Sequence, residues 1–158
     1  MALKILIPLD GSKTGETALP YVEELVSKLS LRVKAELTLL QVVSFLTHYV
    51  AAGELMAPIS YTEQEMRQIR QQARNYLNKI AKGIRSKKVS VKIKVGVGNS
   101  AEEIIKTADE ISVDLIAMST HGRHGLTRWA FGSVADKVLR GGQKPMLLVR
   151  VPKEAVKT

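Results

Sequence analysis

Short apolar runs and amphipathic helical stretches alternate along this chain from one end to the other, and that alternation restricts the fold more than any other feature. Apolar runs at residues 4–9, 35–43, 89–97, 113–118 and 146–151 are each the length of a strand. Between them, apolar residues recur at three- and four-residue steps. The first set is Ala18, Val22, Leu25 and Leu29 with Leu19 and Val26; the second is Met66, Ile69, Ala73, Tyr76, Leu77, Ile80 and Ile84. Ile104, Ile105, Ala108 and Ile111 follow, then a shorter stretch from Val134 to about Arg140 that Gly141-Gly142 stops. This spacing gives each helix one apolar face. Strands alternating with such helices build a parallel sheet with right-handed crossovers and helices on both faces. On these sheets ligands bind beyond the C-terminal strand ends, in the crevice where strand order reverses. Any chemistry is therefore expected in the loops after strands one and four.

Local signals refine this outline. Thr62-x-x-Glu65 and Ser100-x-x-Glu103 match capping boxes, which satisfy exposed amides at a helix start. Residues 44–60 carry no clear period and are expected to form a lid or contact loop. The length of 158 residues fits one domain spanning 1–158, with no internal repeat or linker.

The chain contains no Cys, which excludes a disulfide framework, thiolate metal sites and a cysteine nucleophile. Its apolar runs are too short to cross a bilayer, and Pro8 and Asp10 interrupt the first before a leader peptide could form. No membrane association and a cytoplasmic location are expected. The net charge is +9, with 24 Lys and Arg against 15 Asp and Glu. Residues 66–100 hold ten basic residues and no acid, a pattern read first as a solvated helix face. With only seven aromatic residues and neither an RNA-recognition pattern nor zinc-finger spacing, nucleic acid is not the expected partner.

The loop after the fourth strand is the most punctuated. Gly122 and Gly132 flank nine residues, and Gly132-Ser133 directly precedes a helix. Glycine lets backbone N–H groups approach an anion closely, and a helix N-terminus adds unpaired donors with a positive dipole end. Ser133 can donate to a phosphate oxygen and Arg123 can add charge. Ser133 with Asp136 also matches a capping box, and the two roles can coexist. Asp10 can accept from a base or ribose, or cap the first helix. His121 and His124 have no evident third ligand, so no protein-held metal is expected.

These residues resemble the universal stress protein family over nearly the whole chain. The resemblance is carried by Pro8-Leu9-Asp10-Gly11-Ser12, by Ser119-x2-Gly122-x9-Gly132-Ser133, by the turn from Val97 to Glu103, and by Gln143 to Val149. It implies an α/β, Rossmann-like open five-stranded sheet in the order 3-2-1-4-5, with an adenine nucleotide (ATP, or AMP or ADP) in the crevice and Mg²⁺ held only through its phosphates. Asp10 and the backbone at Val42 would meet the adenine, and Pro8 and Met118 would line the base and sugar pocket. Gly122, Gly132, Ser133 and Val134 would hold ribose and phosphates. The family pattern has Gly where this chain has Ser119. Its Cβ would point to where backbone and ligand pass closely, or its hydroxyl would donate to the ribose or α-phosphate. An unpaired edge strand from Met146 to Val151 is a pairing liability that a two-fold homodimer resolves, and the resemblance implies the same dimer. The expected role is a stress sensor or regulator. The alternatives are a slow ATPase or autophosphorylating enzyme using the same pocket, or a nucleotide-free protein-interaction module. No residue stands out as a general base or acceptor nucleophile.

Overall fold

The computed structural model describes residues 1–44, 48–52, 55–120 and 132–151, with the side chains of 48–52 and 55–59 left aside. The strands of the main sheet are β1 (Ala2–Pro8), β2 (Lys34–Val43), β5 (Val89–Val97), β6 (Leu115–Thr120) and β7 (Met146–Arg150). Helices α1 (Ala18–Ser27), α2 (Glu63–Gly83), α3 (Ser100–Glu110) and α4 (Ser133–Gly141) connect them, and a 3-10 turn at Gly15–Thr17 leads into α1. The sheet runs β5-β2-β1-β6-β7 with every neighbouring pair parallel, which is the order 3-2-1-4-5 counted over its own strands. The order reverses between β1 and β6.

The near-continuous apolar runs have a direct cause: the central strands are covered on both faces. Ile5, Ile7, Leu37 and Leu39 pack toward Leu19, Val22 and Val26 of α1 and Leu77 of α2. Leu6, Leu40, Ile116 and Met118 pack toward Ala101, Ile104 and Ala108 of α3 and Ala135 and Val138 of α4. Ile5, Leu6 and Ile7 are consecutive and fully buried, and removing each such side chain from water is worth about 1.5–3 kcal/mol. Leu25 departs from the expected stripe: it lies at the solvent margin of α1, 36% exposed.

Residues 44–60 differ from the expected structureless loop. Strands β3 (His48–Ala52) and β4 (Leu55–Ile59) form an antiparallel pair, from His48 opposite Ile59 to Ala52 opposite Leu55. Pro58 sits inside β4, and in a two-stranded pair each strand is an edge, where a residue without an N–H is tolerated. The Thr62 capping box is present in full: Thr62 Oγ1 accepts from the Glu65 amide at 3.2 Å, and the Thr62 amide donates to Glu65 Oε2 at 2.7 Å. At α3 the cap is Asn99, one residue before the expected Ser100, its Oδ1 accepting from the Glu102 amide at 3.2 Å. Ser100 already has its place inside the helix. The last strand ends at Arg150, not Val151.

Candidate functional site

The reversal of strand order opens a cavity of about 540 Å³ on the face covered by α3 and α4. Three strands deliver residues to it from their C-terminal ends: Pro8 from β1, Leu40 and Val42 from β2, Met118 and Ser119 from β6. Asp10 and Gly15 come from the loop after β1. Two helices present their N-terminal turns to the same space, α3 through Ser100 and α4 through Gly132 to Ala135.

At α4 the N-cap is Gly132, with φ 85° and ψ 146°. An L side chain is strained in that conformation, so glycine is what lets the chain turn here. The consequence corrects the expected role of Ser133. It enters as the first helical residue, not as a cap, and among the described residues no side chain closes the helix end. Asp136 offers its amide to the Gly132 carbonyl at 2.9 Å and its carboxylate to Arg140 at 3.0 Å. Among the described residues no acceptor meets the amides of Ser133, Val134 and Ala135. A helix start leaves such donors unpaired and carries partial positive charge, so this wall suits an anion.

The loop after β1 is built around Asp10. Its Oδ1 accepts from the Ser12 amide at 2.9 Å and from Ser12 Oγ at 2.5 Å, while Ser12 Oγ in turn accepts from the Gly15 amide at 3.0 Å. The start of α1 belongs to Thr17, with no side-chain cap, so Asp10 does not cap that helix. A Cβ at Gly15 would lie 2.6 Å from Asp10 Oδ1, which keeps the position small.

The Ser119 hydroxyl turns inward and not toward a ligand, while the residue itself stays among those lining the cavity. Buried at 6% exposure, its Oγ accepts from the Ala18 amide at 2.9 Å and donates to the Gly15 carbonyl at 3.0 Å. The single hydroxyl proton is committed inside the protein and is not offered to a ligand, and the cavity stays open beside it. One further tie holds this loop: Tyr76 Oη on α2 donates to Glu16 Oε1 at 3.1 Å, and Glu16 Oε2 meets Lys13 Nζ at 3.1 Å. Burial, reinforced by the Glu16 and then the Asp10 charge, holds the Tyr76 phenol well above its ordinary range.

Eight of the ten residues named from sequence thus line one cavity: Pro8, Asp10, Val42, Met118, Ser119, Gly132, Ser133 and Val134. Gly122 and Arg123 lie outside the described residues, as do His121 and His124. Sequence reasoning missed Leu9, Gly15, Leu40, Ser100, Ile104 and Ala135; the signal for Ser100 was its place at the start of α3, read only as a cap. Asp10 is the one ionisable side chain among the described lining residues, and these residues hold no group of three or more potential metal ligands.

Fold and site together define an open, doubly wound α/β protein with an anion-suited crevice at its topological switch point. The profile of the Universal stress protein family matches residues 1–150. The chain is 31% identical over 158 residues to Universal stress protein MJ0577 of Methanocaldococcus jannaschii, covering 95% of this chain and 96% of that protein. It therefore belongs to the universal stress protein family. A solved structure of hypothetical protein MJ0577 superposes with a TM-score of 0.71 at 29% identity, covering 95% of this chain and 96% of the other. The fold is shared with a family protein from Arabidopsis thaliana with AMP bound (TM-score 0.64, 15% identity, 99% and 96% covered). It is also shared with a universal stress protein in complex with cAMP (TM-score 0.58, 18% identity, 95% and 98% covered). No helix among the described residues is long and apolar enough to cross a membrane.

Proposed function

We propose that this protein binds an adenine nucleotide, ATP in the first instance, in the crevice between β1, β2 and β6, and acts as a homodimeric regulator. The observation that carries the reading is the start of α4, where Gly132 turns the chain and three amides with no acceptor among the described residues line a cavity of about 540 Å³. That volume suits a nucleotide-sized ligand. The apolar lining from Pro8, Val42 and Met118 would take the base, and Asp10 would accept from it. Ser133 and the amides from Ser133 to Ala135 would take the phosphates. The AMP and cAMP complexes of two proteins sharing the fold support an adenine ligand. Mg²⁺, if present, would be held through phosphate oxygens. Asp10 is already engaged by Ser12, which favours holding a nucleotide over turning it over.

The test is titration of the purified protein with ATP, AMP and GTP, together with mass spectrometry of small molecules released on denaturation. Ser133→Asp sharpens it. Ser133 is exposed in the first turn of α4, where a carboxylate is favourable to the helix by about 0.3–1 kcal/mol, so the fold should keep its Tm. The same carboxylate would face the phosphates, and ATP affinity should drop about tenfold or more, since about 1.4 kcal/mol of repulsion suffices. Unchanged ATP affinity in a folded Ser133→Asp protein would place the phosphates elsewhere.

A further inference from the structure

The fold resolves what the basic segment of residues 66–100 presents to solvent. Helix α2 buries Ala73 and Leu77 against the sheet face opposite the cavity. Arg67, Arg70, Arg74 and Lys82 are all exposed, and steps of three, four and eight residues set them on one side of the helix. Arg85 follows just past the helix end and is also exposed. From Arg67 to Lys82 the row is about 22 Å long at 1.5 Å per residue. Among the described residues only Arg67 in this row has an acidic partner, Glu63 at 3.8 Å. The side chains between the charges are amides, Gln71, Asn75 and Asn78, with Gln71 Nε2 donating to Asn75 Oδ1 at 2.8 Å.

We infer that this row is a docking surface for the phosphate backbone of duplex nucleic acid, bound without regard to sequence. Charge complementarity selects a polyanion, and three features choose among polyanions. An interfacial membrane helix turns an apolar face to lipid, whereas the apolar face of α2 is spent on the core and its outer face carries only amides between the charges. A single strand is gripped by aromatic stacking platforms; the one aromatic side chain of α2, Tyr76, is half-buried and bonded to Glu16. A straight row of guanidinium and ammonium groups interleaved with amides matches the repeating phosphates of a duplex. The scarcity of aromatic residues weighs against base stacking and readout, and backbone docking asks for neither. The surface lies on the face opposite the crevice, so it stands independently of the nucleotide reading.

The experiment is fluorescence anisotropy of a labelled mixed-sequence DNA duplex, longer than the row, titrated with the full chain between about 50 and 200 mM salt. The variant Arg70→Gln/Arg74→Gln/Lys82→Gln is compared with Lys106→Gln/Lys137→Gln/Lys144→Gln, which removes the same charge from α3, α4 and the turn that leads into β7. The first should lose about tenfold or more in affinity, and the slope of log affinity against log salt should flatten by about 2.7, at about 0.9 per lost phosphate contact. The second should stay near the parent protein. Equal losses in the two variants would reduce the effect to net charge and overturn the inference. So would tighter capture by phosphatidylcholine–phosphatidylglycerol vesicles than by the duplex, or preference for an oligo-dT strand that the first variant leaves intact.

Discussion

Ser119 is where one atom does two jobs that a glycine could not. Its hydroxyl takes the Ala18 amide, one of the donors a helix start leaves unpaired, and gives its proton to the Gly15 carbonyl. Both partners sit in a buried setting, so removing the hydroxyl strands them rather than returning them to water. Ser119→Ala should therefore cost about 1–3 kcal/mol of stability, read as a lower urea midpoint with an unchanged m-value. Thr in its place should restore most of the loss if the added methyl is accommodated. A change within error for Ser119→Ala would mean the two bonds contribute nothing net. The position of Ser119 was legible in the sequence because the glycine spacing counts it out. The use of its hydroxyl was not, because Gly15 lies 104 residues away and only the pairing of β1 with β6 brings the two together. Ser133 was misread for the opposite reason: a local match to a capping box hid the fact that Gly132, at φ 85°, already occupies the cap position.

Among the elements, the strands and helices of the main sheet follow the sequence pattern, while one of the two expected capping boxes and the β3–β4 pair do not. The Thr62 box needs four consecutive residues and is present as expected. The β3–β4 pair was missed because each strand is only five residues long and Pro58 interrupts the usual strand composition. The junction between α2 and the loop after β1 was likewise invisible, since Tyr76 reads as one more apolar stripe residue until Glu16 is placed beside it. That junction has a pH dependence. The folded Tyr76 phenol is held above its ordinary value of 10.0, first by burial and then by Glu16. Between the ordinary value and the raised one, the unfolded chain has lost this proton while the folded chain keeps it, so stability falls as pH rises. The contribution is fully present below about pH 10 and is lost above it. Tyr76→Phe should lower Tm modestly at neutral pH, consistent with about 1 kcal/mol for the lost hydrogen bond, and should flatten the decline of Tm between pH 9 and 11. Parallel Tm–pH curves for the two proteins would show that Tyr76 is not the group responsible.

For the whole molecule, the open question in the sheet is its β7 edge. Strand β7 pairs with β6 on one side and is the last strand of the order. The Ile116 amide donates to the Pro145 carbonyl at 2.9 Å, and this sets the phase of the parallel ladder. With Ile116 opposite Met146, Pro145, Leu147 and Val149 spend their backbone groups on β6, and Met146, Leu148 and Arg150 turn theirs outward. Three outward residues on a strand with apolar side chains on both faces make a template for another strand. A two-fold axis through Leu148 would pair β7 antiparallel with its own copy and set Met146 opposite Arg150, so that no like charges meet. This register makes Leu148→Pro a specific probe. It removes an outward N–H at the centre of the proposed interface and leaves the β6 ladder its donors, because Leu148 gives none to β6. The parent protein should sediment as a dimer, and Leu148→Pro as a monomer whose far-ultraviolet circular dichroism still shows the α/β fold. Val149→Pro, which strikes the inward ladder, should instead cost the fold itself. A parent protein that is monomeric at micromolar concentration, or a Leu148→Pro protein that stays dimeric, would move the interface away from this edge.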